Sequence, residues 1–453
     1  MSLDFSTVQA AADAQRLTSC ITGDAGPTGN RAHEAVSRVE HYLLQKGWPV
    51  GEALGALPEV QKGLGLGRPA CREAIVILEA RGSLNVQRGP GGGLFVAAPT
   101  VDDVVWSMLM YLAINRVSGN CIQEFRLLVW RMVAEAAIAR GIRVLRGATA
   151  AEELGFAGEL ARLVGNPAIS LAVSIAEQLA HACKLSPAPK EDVVFERAIR
   201  AGNRGKAFAR LDDLAQPMES VTPLLALEAI EHAFGGSGRK AAMALAARMV
   251  RERIYRPEKL EAEWETSERL GFSNVVVRQA RRILQDFGAV RCQRGRKGAV
   301  WAGAASPAGV IRLLAPCLFA CGAGPQDNGE AANFLACNAP RLAAARVASS
   351  GPSQASVVGT LVDSRELLDL LEIENLLLAA SGNPLLSITT RALGLATLTV
   401  PGASIGLQRR QEIVDINHRL LEAIEAGDTA TADSLARAKG ELQQSESTHR
   451  KLA

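Results

Sequence analysis

The chain has 453 residues, of which 48 % are hydrophobic and 4 % aromatic, and its formal net charge is +3. This length exceeds what one hydrophobic core organises, so several domains are expected, and the scarcity of aromatic residues favours helices packed on helices. A charge so close to neutral excludes a uniformly basic surface, so a site for a polyanion has to come from local clustering of charges.

The sequence predicts a cytoplasmic protein. Its N-terminal segment does not combine a basic start, an apolar run and a small-residue cleavage site, and no apolar run approaches the roughly 20 residues that cross a bilayer. The eight cysteines are scattered and stand mostly in apolar, helix-like surroundings. This pattern predicts reduced core thiols rather than a disulfide framework.

The first third of the chain predicts three helices followed by a β-hairpin. Residues 1–30 are expected to form an N-terminal helix and a linker, and residues 31–98 the first folded domain. Within that domain, hydrophobic periodicity and turn residues predict the elements in the order helix 32–46, helix 57–65, helix 67–79 and hairpin 84–96. Pro58 near the start of the second helix suits a first helical turn.

A basic stretch between Arg269 and Lys297 predicts a second domain of this kind. Eight basic residues stand in it against the single acid Asp286. A helix should begin after Ser273, whose hydroxyl can cap the first turn. Its buried stripe is predicted to be Val277, Ala280, Ile283 and Leu284, which leaves outside the stripe Arg278, Gln279, Arg281 and Arg282.

After Gly288, two short strands are predicted at 289–293 and 299–301. They are joined by a basic tip that contains Arg294, Arg296 and Lys297. Such a tip could lie against phosphates or enter a minor groove.

The two domains are internal repeats. Arg72 corresponds to Arg278, and Gln87-Arg88-Gly89 corresponds to Gln293-Arg294-Gly295, both with an offset of 206 residues. The apolar regions 101–222 and 305–450 also correspond: Gly165-Asn166-Pro167 matches Gly382-Asn383-Pro384 with an offset of 217. A repeat of this length makes the domain, and not the motif, the unit of duplication.

These motifs identify a family resemblance. Leu-Pro before the second helix, Arg-(x)3-Arg-Glu-Ala in the third and Gln-Arg-Gly-(x)2-Gly-Gly in the hairpin resemble the winged helix-turn-helix of GntR-type bacterial transcriptional regulators. The resemblance covers residues 32–98 and again 240–303, and it implies that the third helix and the hairpin tip bind DNA. The matching arginines are Arg68, Arg72 and Arg88 in the first copy and Arg278 and Arg294 in the second.

The residues themselves add Ser273, Asn274, Arg282, Arg296 and Lys297 as candidate DNA contacts. Ser273-Asn274 stands where the first copy has Gly67-Arg68, which predicts a different base preference because an Asn amide pairs with adenine. In the first copy Gly67 offers no capping side chain and Pro69 occupies the first turn, which weakens or re-aims that helix.

The apolar regions resemble the helical effector-binding domain of the FadR branch of this family, called FCD. The resemblance implies a mainly α fold with two winged domains, each followed by an antiparallel helical bundle, arranged as an internal pseudo-dimer in one chain. The predicted domains are 31–98 (head 1 below), 101–222, 230–303 (head 2 below) and 305–450. It further implies double-stranded DNA as partner, with an asymmetric operator because the heads differ.

Many members of this branch hold a metal through one Asp and three His. In the second copy these positions fall on Leu370, Glu374, His418 and Lys439 or Gly440, and in the first on Glu153, Ala157, Val193 and about Leu214. Neither set supplies enough ligands, so we predict no metal and no cofactor.

The family's effector-binding arginine is matched by Arg126 but by Ala332 in the second copy, so a small organic acid is expected in the first bundle. An ion pair is the alternative role for Arg126. Asn166, Asn383 and His418 are further candidates for effector contacts, although the two asparagines also suit helix capping.

The sequence does not predict an enzyme. The six histidines do not form a recognisable catalytic arrangement, and Gly89-Pro-Gly-Gly-Gly93 lies between strands and not before a helix, the wrong context for a phosphate loop. The alternative function is a ligand-sensing or interaction scaffold in which only head 2 binds DNA; a metal-dependent enzyme is a distant third. The effector, the direction of regulation and any further homodimer stay open.

Overall fold

The computed structural model is mainly helical, as predicted, with a three-stranded and a two-stranded antiparallel sheet in the part it describes. The described residues are 12–23, 31–87, 89, 92–142, 155–185, 192–214, 227–228, 239–253, 261–292, 300–303, 305–350, 367–398 and 407–449. Within them, no helix has both the length and the apolar character that a membrane span requires.

The elements of the first half follow in chain order. They are α1 (Ala12–Thr22), α2 (Arg31–Gln45), β1 (Ala53–Gly55), α3 (Leu57–Leu64), α4 (Arg68–Ala80), β2 (Leu84–Gln87), β3 (Gly93–Val96), α5 (Val101–Ile114), α6 (Asn120–Ala139), α7 (Gly155–Val164), α8 (Pro167–Ala182), α9 (Val193–Arg200) and α10 (Arg204–Leu214).

The second half continues this numbering. Its elements are α11 (Arg239–Arg253), α12 (Glu263–Leu270), α13 (Asn274–Asp286), β4 (Val290–Cys292), β5 (Val300–Ala302), α14 (Pro307–Ala320), α15 (Pro325–Ser350), α16 (Leu367–Ala380), α17 (Pro384–Leu398), α18 (Leu407–Glu425) and α19 (Thr429–His449).

Head 1 contains the three predicted helices and the predicted hairpin, with one strand that the sequence did not predict. The β1 strand pairs antiparallel with β3, which also pairs with β2, so the sheet order is β1-β3-β2. Because β1 has only three residues, it is too short to show a strand periodicity. Helix α3 ends at Gly65, whose φ of 63° is a left-handed conformation that glycine adopts without strain.

Head 2 repeats this order with α11, α12, α13 and the β4–β5 hairpin. The predicted cap is present: the Ser273 hydroxyl accepts a hydrogen bond from the Val276 amide at 3.4 Å. The predicted stripe of Val277, Ala280, Ile283 and Leu284 is buried. The expectation that Arg281 lies outside this stripe was wrong, because its side chain is also buried.

The chain forms two compact units that do not follow the order of the sequence. Unit 1 comprises 1–119, 181–185 and 218–320, and unit 2 comprises 120–180, 186–217 and 321–453. Unit 1 thus holds both heads together with α5 and α14, and unit 2 holds most of the helices of both apolar regions. Each unit therefore draws on both predicted copies.

In unit 2, the helices of the second predicted copy share a core of small and branched apolar side chains. Helix α15 lies against α16, α17, α18 and α19. Ala344, Leu377, Leu420 and Ala432 are all at most 2 % exposed and belong to one cluster. The alanines let the helix backbones approach closely, and this close approach sets the positions of the polar side chains described below.

Candidate nucleic-acid interface

Helices α4 and α13 occupy the same place in the two heads and present exposed polar side chains at their N-terminal ends. Arg68 and Arg72 are exposed on α4, while Asn274 and Arg278 are exposed on α13 and follow the exposed cap Ser273. Behind them, each helix buries an apolar stripe in its own head. In each head these side chains stand on the helix that directly precedes the paired strands.

The two helices differ in how their first turns are held. Ser273 caps α13 through its side chain, whereas Gly67 precedes α4 without any side-chain hydrogen bond and Pro69 follows within the first turn. The residue after each cap also differs, since Arg68 stands where α13 has Asn274. The two surfaces therefore offer different hydrogen-bonding groups to a ligand.

Arg278 is bonded to a carboxylate of the preceding helix. Its Nε and Nη2 atoms lie 3.2 and 3.1 Å from Oε2 of Glu263, and the side chains of both residues are more than a third exposed. An exposed pair of this kind contributes about 0 to 1 kcal/mol. The guanidinium can therefore exchange this carboxylate for another anion at little cost.

The other two arginines of α13 have different surroundings. Arg281 donates from Nη2 to the carbonyl oxygen of Glu261 and to the Thr266 hydroxyl, so it fastens α13 to the start of α12. Arg282 is half-buried and lines a cleft with Arg81, Asp286 and apolar side chains. The predicted hairpin-tip contacts Arg88, Arg294, Arg296 and Lys297 lie outside the described residues.

A buried ion-pair cluster inside unit 1 was missed by the sequence analysis. Arg81, 7 % exposed, donates to Glu40 at 2.6 Å and to both carboxylate oxygens of Asp286, from Nε at 2.8 Å and from Nη2. Glu40 belongs to α2 of head 1 and Asp286 to α13 of head 2. Arg81 therefore joins the two heads.

The surroundings of Asp286 and Arg81 favour the charged form of both side chains. Burial acts to raise the pKa of Asp286, but the charge and hydrogen bonds of Arg81 outweigh it, so the pKa lies below its usual value. Burial likewise acts to lower the pKa of Arg81, and the carboxylates of Asp286 and Glu40 reverse this. Beside the cluster, the rings of Trp106 and Phe287 pack edge to face at 5.9 Å.

In unit 2, Asn166 and Asn383 make matching sets of contacts. Each Oδ1 caps its own helix, and each Nδ2 reaches the other predicted copy. Asn166 donates to Glu330 at 2.9 Å and to the Asp327 carbonyl at 3.2 Å. Asn383 donates to Glu124 at 2.7 Å and to the Cys121 carbonyl at 3.0 Å. Their surroundings thus match the capping role that the sequence analysis gave as an alternative to effector contact.

Two ion pairs complete the match. Arg140 binds Glu330 with two bonds of 2.7 Å, and Arg346 binds Glu124 at 2.9 Å. Arg346 lies 206 residues after Arg140, and Glu330 lies 206 residues after Glu124. This is the offset of the sequence repeat. Hydrogen bonds from Arg140 and Asn166 hold the pKa of Glu330 below its usual value, Arg140 having the larger effect.

Arg126 lies in a buried ion pair inside unit 2. Its Nε and Nη2 atoms donate to Glu177 at 2.9 and 2.6 Å, and the Trp130 indole donates to the same carboxylate at 2.7 Å. Arg126 is 2 % exposed. An anionic effector at this guanidinium would compete with Glu177.

The residues at the family's metal positions do not fit a metal. Lys439 is 5 % exposed and places its ammonium group against Glu374 and against Oδ1 of Asn417 at 2.7 Å. In the second copy a cation is thus already bonded to the one carboxylate of the set, Glu374, whereas Glu153 of the first copy lies outside the described residues. His418 is half-buried beside Asn417, and among the described residues no three His, Cys, Asp or Glu side chains are grouped to hold a metal.

No protein-family model matches this chain, and no curated protein matches its sequence. Among solved structures, a chain described as Streptococcus agalactiae GntR is similar to it at 19 % identity, with a TM-score of 0.33, over 44 % of this chain and 97 % of that chain. A likeness of this strength does not assign the chain to a family.

Proposed function

We propose that the protein is a sequence-specific DNA-binding transcriptional regulator of the GntR type and the FadR branch, with two non-identical heads in one chain. The observation that carries the proposal is the exposure of Arg72 and Arg278 at equivalent places on α4 and α13. Each arginine stands over a helix whose opposite face is anchored in its own head. Arginine at such a place bonds the O6 and N7 acceptors of guanine or a phosphate.

The N-terminal turns of the two helices suit base recognition in different ways. Arg68 offers α4 a second guanidinium, whereas Asn274 offers α13 an amide that pairs with adenine. Ser273, with its exposed hydroxyl, can approach a phosphate once the helix is in the groove. Arg88, Arg294, Arg296 and Lys297 are proposed to reach the minor groove or the backbone from the hairpin tips, and Arg282 is proposed to contact DNA from α13.

We propose that the chain arose by tandem duplication and folds as an internal pseudo-dimer. The matched contacts of Asn166 with Glu330 and of Asn383 with Glu124 support this, because each copy gives the same groups to the other. Such reciprocity is the property of an isologous two-fold interface between identical protomers. A single chain would then place two heads on one operator, and the operator half-sites would differ because the heads do.

The test is selection of binding sites from random duplex DNA with the full-length protein, followed by affinity measurements on the selected duplex. Arg278→Ala is expected to cost about 1–3 kcal/mol and to relax base choice in one half-site, and Arg72→Ala to do so in the other. Lys297→Ala should mainly reduce the salt dependence of binding.

The control is Arg162→Ala, which removes an exposed positive charge in unit 2. It should leave affinity and base choice unchanged. Failure to enrich any sequence, or an equal loss for all four variants on selected and random DNA, would contradict the proposal.

One observation favours a second function, a ligand-sensing or interaction scaffold in which only head 2 binds DNA. Ser273 caps α13, whereas α4 lacks a side-chain cap. In that version Arg72→Ala would leave binding of the full-length protein unchanged while Arg278→Ala abolished it. Comparable losses for the two variants would exclude it.

A small organic acid is proposed as effector of the helical domains. Because Arg126 already bonds Glu177, an acid that binds this guanidinium would compete with Glu177. Thermal shifts with a panel of organic acids, compared between the wild type and Arg126→Met, test this site. Stabilisation of both proteins by the same acid would place the effector elsewhere.

A further inference from the structure

Val275 is the most exposed of the large hydrophobic side chains that the structure describes as exposed, at 63 %. It is the second residue of α13 and follows the exposed Asn274. Two positions further on, Val277 is fully buried in head 2. The helix thus carries an unburied valine at the end that also bears Ser273 and Asn274.

The valine does not serve the stability of α13. A β-branched side chain loses χ1 freedom in a helix, so valine is a weaker helix former than alanine or a long straight side chain. With most of its surface in water, Val275 gains little from the hydrophobic effect. Contact with a bound ligand would bury its two methyl groups and supply this gain.

The chemistry of the major groove identifies which ligand group fits. Polar donors and acceptors line the base edges, and the C5-methyl group of thymine is the apolar group among them. Side chains from the first turn of a recognition helix reach these edges. An exposed valine between an adenine-pairing amide and Arg278 therefore complements a thymine.

We propose that Val275 is a specificity-determining residue of head 2 that packs on the C5-methyl group of one thymine, next to the adenine bonded by Asn274. The inference rests on the proposed function, and it names the base chemistry that head 2 selects. The equivalent residue of head 1 is Pro69, so the inference concerns the half-site of head 2.

The test uses the full-length protein and the duplex selected by it from random DNA. Each thymine is replaced in turn by deoxyuridine, which removes the methyl group and leaves every hydrogen-bonding atom in place. One replacement in the half-site of head 2 is expected to weaken binding about fourfold, the value of one buried methyl group. Val275→Ala should weaken binding to the thymine duplex by a similar factor and be indifferent to the replacement.

The chain offers a matched control. Val194 is 58 % exposed and is likewise the second residue of a helix, α9, in unit 2. Val194→Ala is expected to keep both the wild-type affinity and the fourfold effect of deoxyuridine. Val275→Thr keeps one methyl group and should keep part of the effect.

The outcomes separate the inference from the proposed function. If the protein selects an operator but no deoxyuridine replacement weakens binding, or if Val275→Ala responds to deoxyuridine as the wild type does, the inference is overturned and the proposed function stands. If no operator is selected at all, both fail.

Discussion

At the scale of single residues, Arg81 is the centre of the buried ion-pair cluster of unit 1. It is buried between Glu40 of head 1 and Asp286 of head 2, and its guanidinium forms an ion pair with each carboxylate. Removing Asp286 leaves two N–H groups of the buried Arg81 guanidinium without their acceptor, which costs more than the loss of an exposed pair. The cluster is therefore expected to fix how the two heads are joined.

Asp286→Ala should lower the free energy of unfolding by about 3 kcal/mol. The measurement is urea unfolding of the full-length protein, with Glu79→Ala as control because Glu79 is an exposed carboxylate of α4. The control should change stability by less than about 0.5 kcal/mol. Equal, small effects for both variants would show that the cluster does not join the heads.

The sign of the pH dependence follows from the lowered pKa of Asp286. A carboxylate whose pKa is lower in the folded state stabilises the fold above its ordinary pKa of about 3.9. This stabilisation is lost as the pH falls from there through the lowered value. The deficit of Asp286→Ala should thus be present at neutral pH and shrink only in strong acid.

The sequence could predict local interactions but not the bonds between Arg81 and Asp286. The Ser273 cap depends on residues three apart, so its pattern is visible in the sequence. Arg81 and Asp286 are 205 residues apart and become neighbours only when the heads pack. The burial of Arg281 was mispredicted for a related reason, since its partners are Glu261, just before α12, and Thr266 within α12.

At the scale of elements, a carboxylate of α12 bonds Arg278, the arginine of α13 that is proposed to contact DNA. Glu263 bonds Arg278 in the free protein, so DNA has to displace this carboxylate and accept its negative charge nearby. Under the proposed function, Glu263 would weaken the binding of every DNA sequence, and Arg278 would leave it only for a sequence that offers well-placed acceptors.

Glu263→Gln is accordingly expected to tighten DNA binding severalfold at low salt, less so at high salt, because screening reduces the repulsion it removes. Fluorescence anisotropy with the selected duplex measures this. Glu268→Gln on the same helix makes the same charge change without touching the carboxylate bonded to Arg278, and should have a smaller effect. Identical gains would attribute the result to net charge alone.

Helix positions could be predicted from the sequence because their apolar stripes recur at helical spacing, as on α13. The three-residue strand β1 could not, because it is held by pairing with β3 and not by a pattern of its own. Similarly, the buried bond between Lys439 and Asn417 depends on the packing of α18 against α19, which periodicity does not specify.

At the scale of the whole molecule, the proposed function requires the two copies to act as the two halves of one dimer. The repeat offset of 206 residues recurs in three dimensions, where the Arg140–Glu330 contact is matched by Arg346–Glu124. The sequence could predict the repeat but not which residues of the two copies meet. Under the proposed pseudo-dimer, these contacts use within one chain the groups that separate protomers would use between chains.

The most direct test of this central claim is the mass of the complex between the full-length protein and the duplex selected by it, measured by native mass spectrometry or light scattering. The account predicts one chain on one duplex whose two half-sites differ, and a loss of affinity when either half-site is replaced by a copy of the other. Two chains bound to a perfect palindrome, with each half-site served by the same head, would contradict it.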